Sequence, residues 1–424
     1  MKTLAIIAEY NPFHNGHKYH LGQAREISGA DYAITIMSGN FLQRGHAAMW
    51  DKYTRAKMCT ESGIDLALEL PFCYATGSAM DFANGSVSIL NQLGSVDYLC
   101  FGAETDSLQL IERIADTILE EPDGYSDILR TKLAKGMSYP AARETALTSY
   151  INNSDINEVI SSPNNILAIE YVCSLKRTAS RIKPVLIPRK QAGYHDPALY
   201  GNISSATAIR NLIESDCSNS EAGNSFLLKL KHEIPESTFN IINDTLFTKS
   251  PVFTDDLTPF LQSNLLSGRT YNNICDITDD LANKIYKLAP NISFTDAMSK
   301  LKSRDITLSR ISRCLIHLIL NYTDTDRTDF IDNGYGFYAN ILSFRKNSSN
   351  LLKVLNQTGT IPLITKKADF ECRITSLDEV SQNSARRMWE LDTRATNLYN
   401  CLILNRYGTI CTNDYNTPIP IISP

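Results

Sequence analysis

The chain has 424 residues, 43% hydrophobic and 21% charged, with 41 basic and 46 acidic side chains and a formal net charge of −5. That length suggests two or three domains with a sizeable core, and the composition excludes a fibrous or wholly disordered chain. The charge excludes a general polycation, so any contact with nucleic acid needs a local basic patch.

The N-terminus leads straight into a strand-like run at residues 4–8, and no leader segment is expected. A helix is expected over 16–27, with Leu21, Ala24 and Ile27 on one face, then a strand over 32–37 ending at Ser38-Gly39-Asn40. Residues 54–62 read as a helix, and 65–70 as a strand stopped by Pro71. A helix at 79–93, a strand at 98–101 ending at Gly102, a helix at 165–175 and a strand at 185–187 follow. Short apolar strands separated by helices predict a parallel sheet covered on both faces, a Rossmann-like α/β fold over residues 1–215. Ligands of such sheets bind at the carboxyl ends of the strands, where residues 14–17, 38–40, 102 and 189 all fall.

Residues 215–224 are polar and turn-rich and read as a linker. Beyond it, residues 225–424 are expected to be a mainly helical region, most clearly at 306–320; the segments 351–354, 361–364 and 409–411 are weaker. The ten cysteines form no C-x-x-C pair, which gives a structural zinc site little support. No apolar run approaches the roughly 18 residues that span a bilayer, so no membrane contact is expected and a reducing cytoplasm is the expected compartment.

The chemistry is concentrated at residues 9–17, Glu-Tyr-Asn-Pro-Phe-His-Asn-Gly-His. Two imidazoles, His14 and His17, stand at a strand-to-helix turn where backbone N–H groups and a helix N-terminus favour phosphate. Adenylyl transfer needs charge stabilisation at the α-phosphorus and little else from the protein, and histidines of near-neutral pKa suit that task. Gly16 allows close approach of backbone to phosphate. Ser204, Ser205, Thr207 and Arg210 form a second pattern, hydroxyls at a helix start with an arginine one turn on, which suits a phosphate clamp.

The two patterns resemble the nucleotidylyltransferase superfamily. With Met37-Ser38-Gly39-Asn40-Phe41-Leu42-Gln43-Arg44-Gly45, Asp51-Lys52, Leu68-Glu69-Leu70-Pro71, Phe101-Gly102-Ala103-Glu104 and Ser162-Pro163-Asn164-Asn165-Ile166-Leu167-Ala168, they together resemble the tRNA(Met) cytidine acetate ligase family. The resemblance implies an ATP-dependent ligase that forms acetyl-adenylate from ATP and acetate, then acetylates N4 of the wobble cytidine of elongator tRNA(Met). It implies ATP-binding residues Ile7, Ala8, Glu9, Tyr10, Asn11, Pro12, Phe13, His14, Asn15, Gly16, His17, Lys18, Tyr19 and His20, with Gly102, Asn165 (rather than Asn164) and Arg189. His14 and His17 are the expected catalytic pair. Ser205, Thr207, Arg210, Lys52, Asn40 and Arg44 are further candidates, and Ser38, Gln43, Asn40, Arg44 and Lys52 could frame acetate or cytidine. Mg²⁺ is expected to accompany ATP; Asp51 and Glu104 are the candidate carboxylates, but such sites leave almost no spacing signature. His20 could equally cap or pack.

A tRNA partner requires positive charge somewhere. Candidates are Lys300, Lys302, Arg304, Arg310 and Arg313, then Arg345-Lys346, Lys366-Lys367 and Arg386-Arg387, with Phe344, Tyr335 and Phe337 as stacking rings. Spacing puts Lys300 with Arg304, and Arg310 with Arg313, on shared helical faces. Two other readings stay open: a small-molecule adenylyltransferase, and a non-catalytic nucleotide-binding regulator of RNA processes.

Overall fold

A computed structural model describes residues 1–151, 153, 155–189, 206–217, 225–268, 270–304 and 306–423. Five parallel strands form the N-terminal part of one sheet: β1 (Thr3–Ala8), β2 (Tyr32–Ser38), β3 (Leu66–Leu70), β4 (Tyr98–Ala103) and β5 (Lys183–Pro188). Alternate residues of the inner strands enter different apolar cores. Ala5, Ile34 and Leu66 face one side, and Leu4, Ile6, Ala33 and Ala67 face the other. A strand apolar on both faces is stable only inside a sheet with helices above and below, which is why the parallel α/β reading was legible.

The strand order is β5-β4-β1-β2-β3. The chain runs outward from β1 through β2 to β3, then returns to lay β4 on the other side of β1. The carboxyl ends of β1 and β4 therefore flank the topological switch point, and the turns leaving them are residues 9–14 and 104–107.

Helix α1 (Asn15–Ser28) follows β1 and ends at Gly29, whose φ of 58° suits a residue without Cβ. It buries Leu21, Ala24 and Ser28. The expected third member, Ile27, is 56% exposed: Ala24 is followed on the buried face by the residue four positions on, not three. Helix α2 (Lys52–Glu61) follows β2 and is capped by the Asp51 carboxylate, which accepts from the N–H groups of Tyr53 and Thr54.

The C-terminal part is mainly helical, but it also completes the sheet. Strand β6 (Ala339–Arg345) pairs antiparallel with β3, and the short β7 (Leu363–Ile364) and β8 (Ile421–Ile422) pair with β6. The expected 215–224 linker is corrected at its start, because the helix Ala206–Cys217 runs through Ser215; residues 218–224 lie outside the described residues. The 306–320 helix begins at Leu308, since the Thr307 side chain accepts from Arg310 N–H and caps it. Residues 351–354 fall inside the helix Ser349–Thr358. Lys300 and Arg304 share no helix, because Phe294–Leu301 stops between them. Among the described residues no helix is long and apolar enough to cross a membrane.

The two parts are joined by a buried charge cluster. Glu69, in the middle of a fully buried strand, accepts both a 2.9 Å bond from Lys52 Nζ and a 2.6 Å bond from Asn340 Nδ2 on β6. Lys52 Nζ also reaches Asp414 at 2.8 Å, and Tyr53 and Thr396 hydroxyls donate to the same carboxylate. Burial works against the lysine's charge, but Asp414 and Glu69 together hold its pKa well above the usual value. Removing one partner of such a cluster leaves carboxylates buried without their countercharge. Lys52→Met is therefore expected to destabilise the fold by about 3–5 kcal/mol, read as a lower midpoint in urea. A midpoint equal to that of the parent chain would show that the cluster does not join the two parts.

Candidate active site

The turn after β1 is built to present two histidines in one protonation state. Backbone N–H of Gly16 donates to His14 Nδ1 at 3.0 Å, and backbone N–H of His14 donates to His17 Nδ1 at 3.3 Å. Together they form the capping box of α1, with imidazole nitrogens in place of the usual carboxylate and hydroxyl oxygens. The rings stack with centroids 3.7 Å apart. Tyr10 and Phe13 pack against His17 at 4.8 and 5.5 Å. A nitrogen that accepts from an amide carries no proton, so each neutral ring has its N–H at Nε2, the side away from the backbone.

Burial lowers the pKa of His14 to about 4, helped by the charges of Arg189 and Arg210. Burial, with His14, His20 and Arg189, pushes His17 well below the ordinary histidine value. The imidazoles are thus neutral Nε2–H donors at physiological pH. This corrects the expectation that they would act as near-neutral, cation-capable groups: stacked in a partly apolar pocket beside arginines, they cannot hold a proton each.

The end of β4 closes on the helix that follows the first turn. A Cβ placed on Gly102 would lie 3.4 Å from Arg189 Cγ and 3.7 Å from His20 Cδ2, so the three residues adjoin. Burial lowers the pKa of His20 to about 4, while its hydrogen bond to the Phe101 backbone opposes the shift. Asn165, at the start of the helix Pro163–Arg177, accepts from Glu104 and Thr105 N–H at 2.8 and 3.2 Å through Oδ1. Asn165 is 1% exposed, and its Nδ2 has no hydrogen-bond partner among the described residues. The same is true of His20 Nε2 and Ser38 Oγ. Asn164 differs: its Nδ2 donates to the Glu104 carboxylate.

Arg210 joins from the helix Ala206–Cys217. Its Nη1 donates to the Asn11 carbonyl at 3.1 Å and its Nη2 to Thr207 Oγ1 at 3.0 Å, which ties the second sequence pattern to the first turn. Ser204 and Ser205 lie outside the described residues. Asn11 Oδ1 accepts from Met49 N–H, and Asn15 Nδ2 donates to the His232 carbonyl. Lys18 is exposed, and Ile7, Ala8 and Glu9 are half-buried at the end of β1. Gln43 N–H donates to the Glu9 carboxylate, and Arg44 stands exposed beside it.

Several candidates are held elsewhere. Lys52 lies in the buried cluster with Glu69 and Asp414, so its ammonium is unavailable to acetate or cytidine. Asn40 Oδ1 accepts from Lys52 N–H and serves to start α2. Asp51 caps α2 and pairs with Lys249 at 3.3 Å, and Glu104 holds Asn164 and the N–H of Asn165. These commitments do not fit a protein-held Mg²⁺, and among the described residues no three His, Cys, Asp or Glu groups are grouped to hold a metal.

The basic clusters are also reassigned. Lys367 is buried, donates to Asn340 and sits over the Trp389 ring. Arg310 and Arg313 both turn to Asp276, and Arg313 also donates to the Gln43 carbonyl. Arg386 pairs with Glu371, and Arg387 with Asp326. Phe337 is buried in the core, and the Tyr335 hydroxyl accepts from Asn84. Lys300, Lys302, Arg304, Lys346 and Lys366 remain exposed.

Sequence reasoning missed Arg55. Its fully buried guanidinium donates to the carbonyls of Trp50, Glu9, Ser38 and Gly39, bracing the ends of β1 and β2 against each other. No local pattern announces an arginine whose acceptors are backbone carbonyls of distant turns.

The family model described as HIGH Nucleotidyl Transferase matches residues 1–412. The chain is 39% identical to the tRNA(Met) cytidine acetate ligase of Acetivibrio thermocellus over 406 residues, covering 94% of each protein. It is 38% identical to the ligase of the same name from Thermoanaerobacter sp. over 421 residues, covering 99% of each. The crystal structure of Thermotoga maritima TmcAL bound with alpha-thio ATP superposes with a TM-score of 0.89 at 29% identity, covering 100% of both chains. The chain belongs to the tRNA(Met) cytidine acetate ligase family of the HIGH nucleotidyl transferases.

Proposed function

We propose that this chain uses ATP to activate acetate at the 9–17 turn and then acetylates N4 of the wobble cytidine of elongator tRNA(Met), a reaction of the cytoplasm. The observation that carries the reading is the pair of capped, neutral histidines beside Arg189 and Arg210 at the switch point of the sheet. The similarity to ligases bearing that activity in their names supports it.

In the first step a carboxylate oxygen of acetate attacks the α-phosphorus of ATP, and the bond from that phosphorus to the pyrophosphate oxygen breaks. Negative charge grows on the non-bridging oxygens. His14 and His17 would meet it with Nε2–H donors fixed before substrate arrives, which is where preorganised donors are worth most. Arg189 and Arg210 would hold the phosphate chain, guanidinium being suited to bidentate bonds with phosphate oxygens. Asn165 Nδ2 and His20 Nε2 are the buried nitrogens left for the nucleotide. In the second step N4 of cytidine attacks the acetyl carbonyl, the bond to the AMP oxygen breaks, and N4 releases a proton. No step is assigned to Mg²⁺, whose expected carboxylates are committed elsewhere.

His14→Ala should lower acetate-dependent ATP–pyrophosphate exchange by on the order of 10²–10³, the loss typical of one transition-state donor. His14 also caps α1, so a stability loss of about 1 kcal/mol accompanies it and is measured separately. Exchange at the parent rate in a folded His14→Ala would overturn the reading.

The pH profile of exchange offers a second test. The working form is the neutral imidazole and the folded His14 pKa is about 4, so kcat/KM should show no acidic limb at the ordinary histidine value of 6.5. An inflection there would mean that the histidines titrate normally. The linked stability has a definite sign. Because the folded pKa lies below the unfolded one, this contribution is present above pH 6.5 and is lost as pH falls toward about 4.

A further inference from the structure

Residues 225–233 read Ser-Phe-Leu-Leu-Lys-Leu-Lys-His-Glu and fold as the helix Ser225–Glu233. Leu230 anchors it in the core, while Leu228, Lys229, Lys231 and His232 are exposed. Its last turn is fastened to the active-site turn, where Asn15 Nδ2 donates to the His232 carbonyl at 3.0 Å. Asn15 lies between His14 and Gly16, so the helix that carries the two exposed lysines is tied directly to the histidine turn. Among the described residues neither has an ion-pair or hydrogen-bond partner. Lys18, next to His17 in the chain, and Arg44 are also exposed, and the charge of Arg44 is felt by Arg210 and His46. The chain is acidic overall, so such a group of free cations is a local feature.

A cytidine can present N4 to an acyl group in the histidine pocket only if its base enters. The phosphates before and after it must then cross the rim of that pocket. We propose that the 225–233 helix is a contact surface for the RNA backbone, with Lys229 and Lys231 binding phosphates that flank the acetylated nucleotide. The proposal rests on the acetyl-transfer reading above. It assigns the contact to a helix outside the basic clusters that the sequence singled out. Lysine suits this task, being a strongly hydrated point charge that positions phosphate without reading sequence.

The test uses the full chain carrying Lys229→Glu and Lys231→Glu together. Three quantities are measured: KM for tRNA(Met) in acetylation with labelled acetate, its dependence on salt, and acetate-dependent ATP–pyrophosphate exchange without tRNA. The expected result is a tRNA KM raised on the order of tenfold, a log–log salt slope shallower by about 2, and exchange at the parent rate. The control is Lys300→Glu with Lys302→Glu, on a segment that packs against the helix Leu308–Leu320, and it should leave the tRNA KM unchanged. An unchanged tRNA KM and slope in the first variant would overturn the proposal. So would an equal rise in the control, which would mark a net-charge effect, or a loss of exchange, which would place the helix in nucleotide binding. A parent chain that catalyses exchange but leaves tRNA(Met) unacetylated would overturn the acetyl-transfer reading instead.

Discussion

Two backbone amides, those of His14 and Gly16, set the character of the site. By donating to Nδ1 of His17 and His14 they start the first helix and fix both imidazole tautomers in one arrangement. The hydrogen bonds that begin the helix also aim the Nε2–H groups outward, so secondary structure and preorganisation are the same feature. In the proposed reaction the arginines nearby would complete the division of labour: fixed cations would hold phosphate, and neutral donors would face the phosphorus where charge develops. A protonated pair of stacked rings would repel itself and the arginines, and burial removes that state.

The turn is held from behind by contacts that come from the whole length of the chain. Arg55 ties the carbonyls after β1 to those after β2. Lys52, on the same helix, connects Glu69 of β3 to Asp414, a partner 362 residues further on. The loop between β2 and α2 rests on the helix Leu308–Leu320. A Cβ on Gly45, where φ is +76°, would come within 2.5 Å of the Arg313 backbone nitrogen, so only glycine fits there without displacement. The C-terminal part therefore does more than extend a surface for a partner. It braces the loop between β2 and α2 and the start of α2 behind the histidine turn.

Much of this was legible in the sequence wherever the cause is local. The inner strands announced themselves through apolar residues on both faces, and the histidine pair through contiguous spacing after a strand. The helix-start pattern singled out Arg210 as part of a phosphate clamp, and the structure adds what the pattern did not foretell, a hydrogen bond from its guanidinium to the Asn11 carbonyl. What failed depended on partners far away in the chain. Lys52 looks like a free cation beside a motif until Asp414 arrives, and Lys367 looks like half of a basic pair until Asn340 and Trp389 bury it. Strand β6 was hidden because its pairing with β3 crosses more than half of the sequence. The protonation state was not legible either, since it depends on burial and on neighbouring charges that spacing does not reveal.

The central claim is that acetate attacks the α-phosphorus at the neutral histidine pair, before any acyl transfer. Acetate labelled with ¹⁸O in both carboxylate oxygens tests it most directly, with the products analysed by mass spectrometry after a single round with tRNA(Met). The account predicts AMP carrying one labelled oxygen, acetylcytidine keeping the other, and unlabelled pyrophosphate. Label in pyrophosphate or inorganic phosphate, with none in AMP, would place the attack elsewhere on ATP and contradict it.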